Sequence, residues 1–127
     1  MATTACATTY GEANLAAHVE TWTLYAALMS VAGGNTGASG TEFDAVDYDR
    51  QVVTFAADPL NDGKLVNTAA IEWGTPATDW GDAAEVRLFD ALTSGEAQFY
   101  MTLSPAVACD AGAPVLIPAG QLTITFM

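Results

Sequence analysis

The 127-residue sequence carries 15 acidic and three basic side chains, a formal net charge of −12. Binding to nucleic acid or to an anionic membrane is therefore not expected, because both depend on Lys and Arg meeting phosphate groups. The length suits one domain, which we predict over residues 1–127. Hydrophobic residues make up 51% of the chain, but 25 of them are alanines, so we expect the bulky apolar side chains to define the core.

The N-terminal part of the sequence predicts an arm followed by a helix. The first ten residues lack both the basic segment and the apolar segment of a signal peptide, and we interpret residues 1–10 as an arm. Residues 11–20 are rich in Ala, Leu and Glu, which favours a short helix. Leu15, Val19 and Trp22 follow one another at spacings of four and three, which places them on one helical face.

Beyond Thr21 the apolar period changes from 3.6 to two, which predicts a first strand over residues 23–29. The Gly-rich segment 33–41 is predicted to be a flexible loop. Further short apolar or alternating runs are separated by turn-forming segments; they lie near Phe43 and at 51–56, 65–73, 84–91, 97–103, 114–118 and 121–127. This pattern predicts a mainly β fold, a single antiparallel β-sandwich or jelly roll of about seven to eight strands with one short N-terminal helix.

The sequence contains no recognisable catalytic or metal-binding motif. His18 is the only histidine, so the chain lacks the two histidines of a common zinc site, and it has no nucleophile-elbow motif. The acidic turns around Asp44, Asp47 and Asp49 do not match a calcium-binding loop, and we interpret them as solvated carboxylates. The sequence leaves open whether two carboxylates form a catalytic pair like that of a glycosidase, because the two residues of such a pair can lie at any spacing in the sequence. We predict a non-enzymatic protein without a cofactor or metal.

The two cysteines, Cys6 and Cys109, are far apart in the sequence. We expect two free thiols, since two cysteines do not make the dense framework of a small secreted domain. A disulfide between the N-terminus and a late loop is the alternative.

The segment WGTPATDWGD, residues 73–82, has two interpretations. Exposed tryptophans on a β-sandwich can stack on sugar rings. Alternatively, Trp73 ends one strand and Trp80 packs under the start of the next, with Gly74 and Gly81 supplying unusual backbone angles at the corner. The sequence favours the second interpretation.

Several segments resemble a family of small bacteriophage virion proteins that are often labelled tail fibre proteins. They are TLYAAL, DYDRQVVTFAA, NTAAIEW, DWGDAAEVRLFDA and GQLTITF, and they occur in the family's order over residues 20–127. Two positions depart from the family pattern. Val46 and Asp47 replace two glycines before a Tyr-x-Arg motif, and Trp73-Gly74 replaces Phe-Pro.

The resemblance implies a structural protein of the phage particle. We predict a capsid cement, or decoration, protein that forms a homotrimer on the major capsid protein at the virion surface, after synthesis in the host cytoplasm. The alternative is a tail fibre component or a module that binds host glycans. Tyr48 and Arg50 match the family's Tyr-x-Arg, which points to an intersubunit or capsid contact or, as an alternative, to an intrachain pair between Arg50 and a carboxylate. The candidate interface residues are Tyr48, Arg50, Trp73, Trp80 and Arg87.

Overall fold

The structure, a computed structural model, describes residues 8–35, 40–58 and 63–125. Within these ranges it contains one helix and ten strands: α1 (Thr9–Val19), β1 (Leu24–Val31), β2 (Thr41–Glu42), β3 (Gln51–Val53), β4 (Phe55–Ala57), β5 (Lys64–Asn67), β6 (Ile71–Gly74), β7 (Gly81–Phe89), β8 (Ala97–Cys109), β9 (Val115–Ile117) and β10 (Thr123–Thr125). All strand pairs are antiparallel. The predicted mainly β fold with one short helix is confirmed.

The strand count exceeds the predicted seven to eight because two of the predicted runs each hold two short strands. The run 51–56 contains β3 and the start of β4, which are separated at Thr54. The run 65–73 contains most of β5 and of β6, which are separated by a bend at residues 68–70. Apolar periodicity does not reveal a break of one to three residues inside such a run.

The chain divides into two compact units, each assembled from separate stretches of sequence. Unit 1 comprises Met1–Trp22, Thr54–Ala70 and Pro118–Met127, and unit 2 comprises Thr23–Val53 and Ile71–Ile117. Each is described separately below. That residues 1–127 form one domain stays a prediction.

Unit 1 combines α1 with a three-stranded sheet in the order β10-β5-β4. Leu65 of β5 and Ile124 of β10 are paired and buried. Asn67, at the end of β5, is also buried, and its amide satisfies three backbone groups: Nδ2 donates to the carbonyls of Ala69 and Pro118, and Oδ1 accepts from the Leu122 N–H. A buried polar side chain with all these bonds fixes the approach of β10 to β5.

The predicted helix at 11–20 is found as α1, which begins two residues earlier. Thr8 precedes it and accepts a hydrogen bond from the Gly11 N–H at 3.1 Å, the usual arrangement at a helix N-terminus. Of the three apolar side chains assigned to one helical face, only Val19 is buried, while Leu15 and Trp22 are exposed. Ala16 takes the second buried position, since its small side chain allows close packing.

Unit 2 contains a five-stranded sheet and a two-stranded sheet formed by β6 and β9. In the larger sheet, β7 lies between β1 and β8, while the other edge of β1 pairs first with β3 and then with β2. The central strand β1 is buried on both faces from Ala26 to Met29. Small side chains permit this packing: Ala26, Ala27 and Ala83 are all buried.

Among the described residues, no helix has the length and apolar character needed to cross a membrane. The predicted arm at 1–10 lies outside the described residues up to position 7, and α1 includes positions 9 and 10. The predicted Gly-rich loop is described only at its two ends.

Candidate functional site

Arg50 directly precedes β3 and pairs with Glu42 of β2. Its Nη2 lies 2.9 Å from Oε1 of Glu42, and its Nε donates to Oε2 at 3.0 Å, so the contact is bidentate. The guanidinium side chain is almost fully buried. Of the two alternatives predicted for Arg50, the structure shows the intrachain Arg–carboxylate pair.

The remaining donors of Arg50 hold the turn that follows β7. Nη1 donates to the carbonyls of Ala91 and Ser94, at 2.8 and 2.7 Å. The guanidinium also lies 3.7 Å from the centre of the Phe89 ring, within cation–π distance. One side chain therefore connects β2, the end of β7 and the turn that leads to β8.

Tyr48 occupies the other side of the same carboxylate. Its hydroxyl donates to Oε2 of Glu42 at 2.8 Å and accepts from the Leu28 N–H at 2.9 Å. Burial raises the pKa of Tyr48 well above its ordinary value, so the hydroxyl keeps its proton and its role as donor. Both side chains of the Tyr-x-Arg motif therefore form hydrogen bonds with Glu42. The sequence did not identify Glu42 as their partner.

Trp80 and Asp47 form the next contact. The indole Nε1–H donates to Oδ1 of Asp47 at 2.8 Å, and the Ala77 N–H donates to Oδ2 at 2.9 Å. These two bonds, that of Ala77 first, hold the pKa of Asp47 below its ordinary value. The Trp80 ring meets the ring of Tyr48 edge-on at 5.6 Å. Asp47 is exposed, as predicted for the acidic turns, and it also accepts hydrogen bonds from the 73–82 segment.

Trp73 lies on β6 and is only 5% exposed. Its Nε1–H donates to the carbonyl of Ala26 on β1 at 3.3 Å. Because its ring is buried, Trp73 offers no face for stacking on a sugar. The preferred interpretation of this segment is confirmed for both tryptophans: Trp73 lies near the end of one strand, and Trp80, half-buried, directly precedes β7.

The corner between β6 and β7 is fixed by backbone geometry and by a second turn. Gly74 and Gly81 have φ angles of 94° and 105°, which other residues rarely adopt. The turn after β8 reaches back to this corner: the Ala111 N–H donates to Oδ1 of Asp79, and the Gly112 N–H donates to the carbonyl of Pro76. The 73–82 segment therefore organises the loops at one end of unit 2.

Arg87 and Glu85 lie on the same face of β7 and form a buried ion pair at 2.7 Å. Glu85 also accepts from the N–H groups of Gly33 and Gly34, at 3.3 and 3.1 Å, while Nη1 of Arg87 donates to the carbonyl of Gly34 at 2.9 Å. Across the strand pair, the guanidinium lies 5.7 Å from the Tyr100 ring centre. These groups fasten the start of the Gly-rich loop to the sheet.

The five sequence-predicted interface residues therefore divide into three groups. Tyr48, Arg50 and Trp80 converge around Glu42 and Asp47, whereas Trp73 and Arg87 lie elsewhere in unit 2. The sequence analysis did not identify the acidic partners Glu42, Asp47 and Glu85. For Glu85 a signal was available, because EVRLF has opposite charges at alternate positions of an apolar strand, which indicates a buried ion pair.

Cys109 ends β8 and is buried with its thiol free. Burial, the largest effect, raises the pKa of this thiol, and the nearby Asp110 and Asp82 act in the same direction. The predicted free state is therefore confirmed for Cys109, while Cys6 lies outside the described residues. Within the described ranges, no group of three or more His, Cys, Asp or Glu side chains is arranged to hold a metal ion.

The comparison with protein families gives a match over nearly the whole sequence. Residues 7–125 match the family described as podophage GP4 fiber I protein gp80. No curated protein and no solved structure matches the chain. Because the family match extends well beyond half of the sequence, the chain belongs to this family of bacteriophage fibre proteins and is a structural protein of the phage particle.

Proposed function

We propose that the protein is a non-enzymatic structural subunit of a phage fibre. The family match over residues 7–125 carries this proposal, because the description of that family names a fiber protein.

The contacts of the singled-out residues support a structural role. Arg50 joins a strand to a turn, the carboxylate of Asp47 holds the corner at residues 77–80, and Glu85 holds the start of a loop. Each charged or aromatic group thus stabilises a connection between strands. Such an arrangement suits a subunit that must keep its shape under mechanical load.

Capsid decoration is the second candidate, and it stays a prediction. The absence of an internal repeat in the sequence favours it, since an elongated fibre shaft commonly shows one. In that role the protein would bind the major capsid protein as a homotrimer and stabilise the head shell. The net charge of −12 favours protein partners over nucleic acid or membrane in both roles.

The two roles are separated by locating the protein on purified virions. Gold-labelled antibodies raised against the chain, viewed by electron microscopy with preimmune serum as control, are expected to mark the fibres. Label spread over the shell would support decoration and overturn the fibre role. Virions that contain no copy of the protein by mass spectrometry would overturn both.

A further inference from the structure

Charge is distributed unevenly along the sequence. Asp110 is the only charged side chain between Ala97 and Met127, although the whole chain has 15 acidic residues. The stretch begins with β8, the longest strand, whose thirteen residues include no charged side chain. A long strand without charge in so acidic a protein indicates a surface with a distinct role.

β8 lies at the end of the five-stranded sheet, where β7 pairs with one of its edges. Much of β8 is accessible: Tyr100 is 48% and Val107 50% exposed, and the residues from Ser104 to Ala108 are all classed as exposed. Edge strands usually carry charged side chains that discourage pairing with another chain. β8 has Pro105 and an irregular pairing with β7 at residues 103–106, which also discourage such pairing, but no charged side chain.

We infer that the exposed surface of β8, from Tyr100 to Ala108, is where a second copy of this chain docks. Two copies that each carry a net charge of −12 repel one another wherever their carboxylates face. Contact through β8 brings no carboxylate of that strand against the other chain, and it buries the apolar side chains of Tyr100 and Val107. A basic partner, by contrast, would be attracted to the acidic parts of the surface.

The inference deepens the proposed function and rests on it in one respect, because a fibre subunit must join other copies. It also identifies the surface on which the predicted homotrimer would depend. The number of copies follows from the measured mass of the complex.

Sedimentation velocity on the purified full chain tests the inference. The wild type is expected to associate in a concentration-dependent way, and Val107→Glu is expected to weaken the association about tenfold or more, because an unpaired carboxylate would then be buried in the contact. The matched control is Val46→Glu, which adds the same charge at a fully exposed valine outside β8. It is expected to change the dissociation constant by less than about twofold.

A second variant, Ala106→Glu, keeps the test decisive if Val107→Glu does not fold, since Ala106 lies at the irregularity in the β7–β8 register. Circular dichroism shows whether each variant is folded. A wild type that stays monomeric up to its solubility limit would overturn the inference, as would equal weakening by Val46→Glu. Either result would leave the proposed place of the protein in the virion unaffected. Conversely, failure to find the antibody label on the virion would leave the sedimentation result on β8 unaffected.

Discussion

Glu85 and Arg87 form a buried ion pair within a single strand, and the same carboxylate accepts two backbone N–H groups of the Gly33-Gly34 pair. Removing one partner of such a pair is costly, because the other charge loses the group that offsets its desolvation. Replacing both partners by apolar side chains is often far less harmful.

We therefore expect Glu85→Ala to lower the free energy of unfolding by ~3–5 kcal/mol. The double variant Glu85→Met/Arg87→Leu is expected to lose less unfolding free energy than Glu85→Ala, although the N–H groups of Gly33 and Gly34 also lose their acceptor in it. Urea unfolding followed by circular dichroism measures both. A double variant that loses as much stability as Glu85→Ala, or more, would contradict the coupling.

Arg50 offers a test of geometry at constant charge. Lysine cannot reproduce the bidentate contact with Glu42 together with the two carbonyl contacts, so we expect Arg50→Lys to destabilise the fold by about 2 kcal/mol. Lys64→Arg, a charge-conserving exchange on β5, serves as control and is expected to change stability by less than about 0.5 kcal/mol. Equal effects of the two exchanges in thermal unfolding would argue against the role given to Arg50.

Acid should loosen the corner at residues 77–80. The folded-state pKa of Asp47 lies below its ordinary value of 3.8, because the carboxylate accepts from the Ala77 and Trp80 N–H groups. Its contribution to stability is therefore fully present above the ordinary value and is lost as pH falls through the folded-state pKa. Asp47→Asn is expected to reduce stability at neutral pH and to remove part of this acid sensitivity.

Thermal unfolding across pH 2 to 7 checks this expectation, with Asp44→Asn as control. Asp44 is exposed, lies in the same turn and shows no side-chain hydrogen bond among the described contacts. An Asp47→Asn profile parallel to that of the wild type would show that other carboxylates govern the acid response.

Cys109 should react slowly with thiol reagents in the folded protein. Its burial raises the pKa and limits access, and the thiolate is the reactive form. In the variant Cys6→Ser, which leaves one thiol, we expect the reaction with a disulfide reagent at pH 8 to be at least about tenfold slower in buffer than in denaturing urea. Similar rates in both conditions would place the thiol at the surface.

Salt should strengthen association of the wild-type chain. Repulsion between two chains of charge −12 acts over the Debye length, which shortens from about 30 Å at 0.01 M to about 8 Å at 0.15 M ionic strength. Screening does not weaken the contacts of β8, because this strand has no charged side chain. We expect a smaller dissociation constant at the higher ionic strength by sedimentation; a larger one would indicate that ion pairs hold the copies together.

Much of the fold was predictable because periodicity reports local structure. The alternation of Leu122 and Ile124 with Thr123 and Thr125 predicted a strand with one buried face, and β10 has this pattern. The corners at Gly74 and Gly81 were predictable as well, because glycine adopts the backbone angles that a tight corner needs. Burial of alanine was not, because Ala26 and Ala27 owe it to the central position of β1 between other strands.

The site was less predictable, since its contacts join residues distant in sequence. Tyr48 and Arg50 stood out through the resemblance, but the partner carboxylate Glu42 had no distinguishing spacing. One departure from the family pattern coincides with a contact of the site. Asp47, where the family has glycine, bonds to Trp80 at the far end of the segment that begins with Trp73.

The attachment of the Gly-rich loop has a consequence for sequence variation. The loop is secured at one end by Glu85 and Arg87, and at the other by the pairing of β2 with β1. The second attachment also requires glycine at position 40, because Gly40 has a φ of 92° and a Cβ there would lie 2.7 Å from the carbonyl oxygen of Val31. A side chain at position 40 would therefore press on β1 just where β2 pairs with it, so we expect sequences that keep this pairing to keep glycine there.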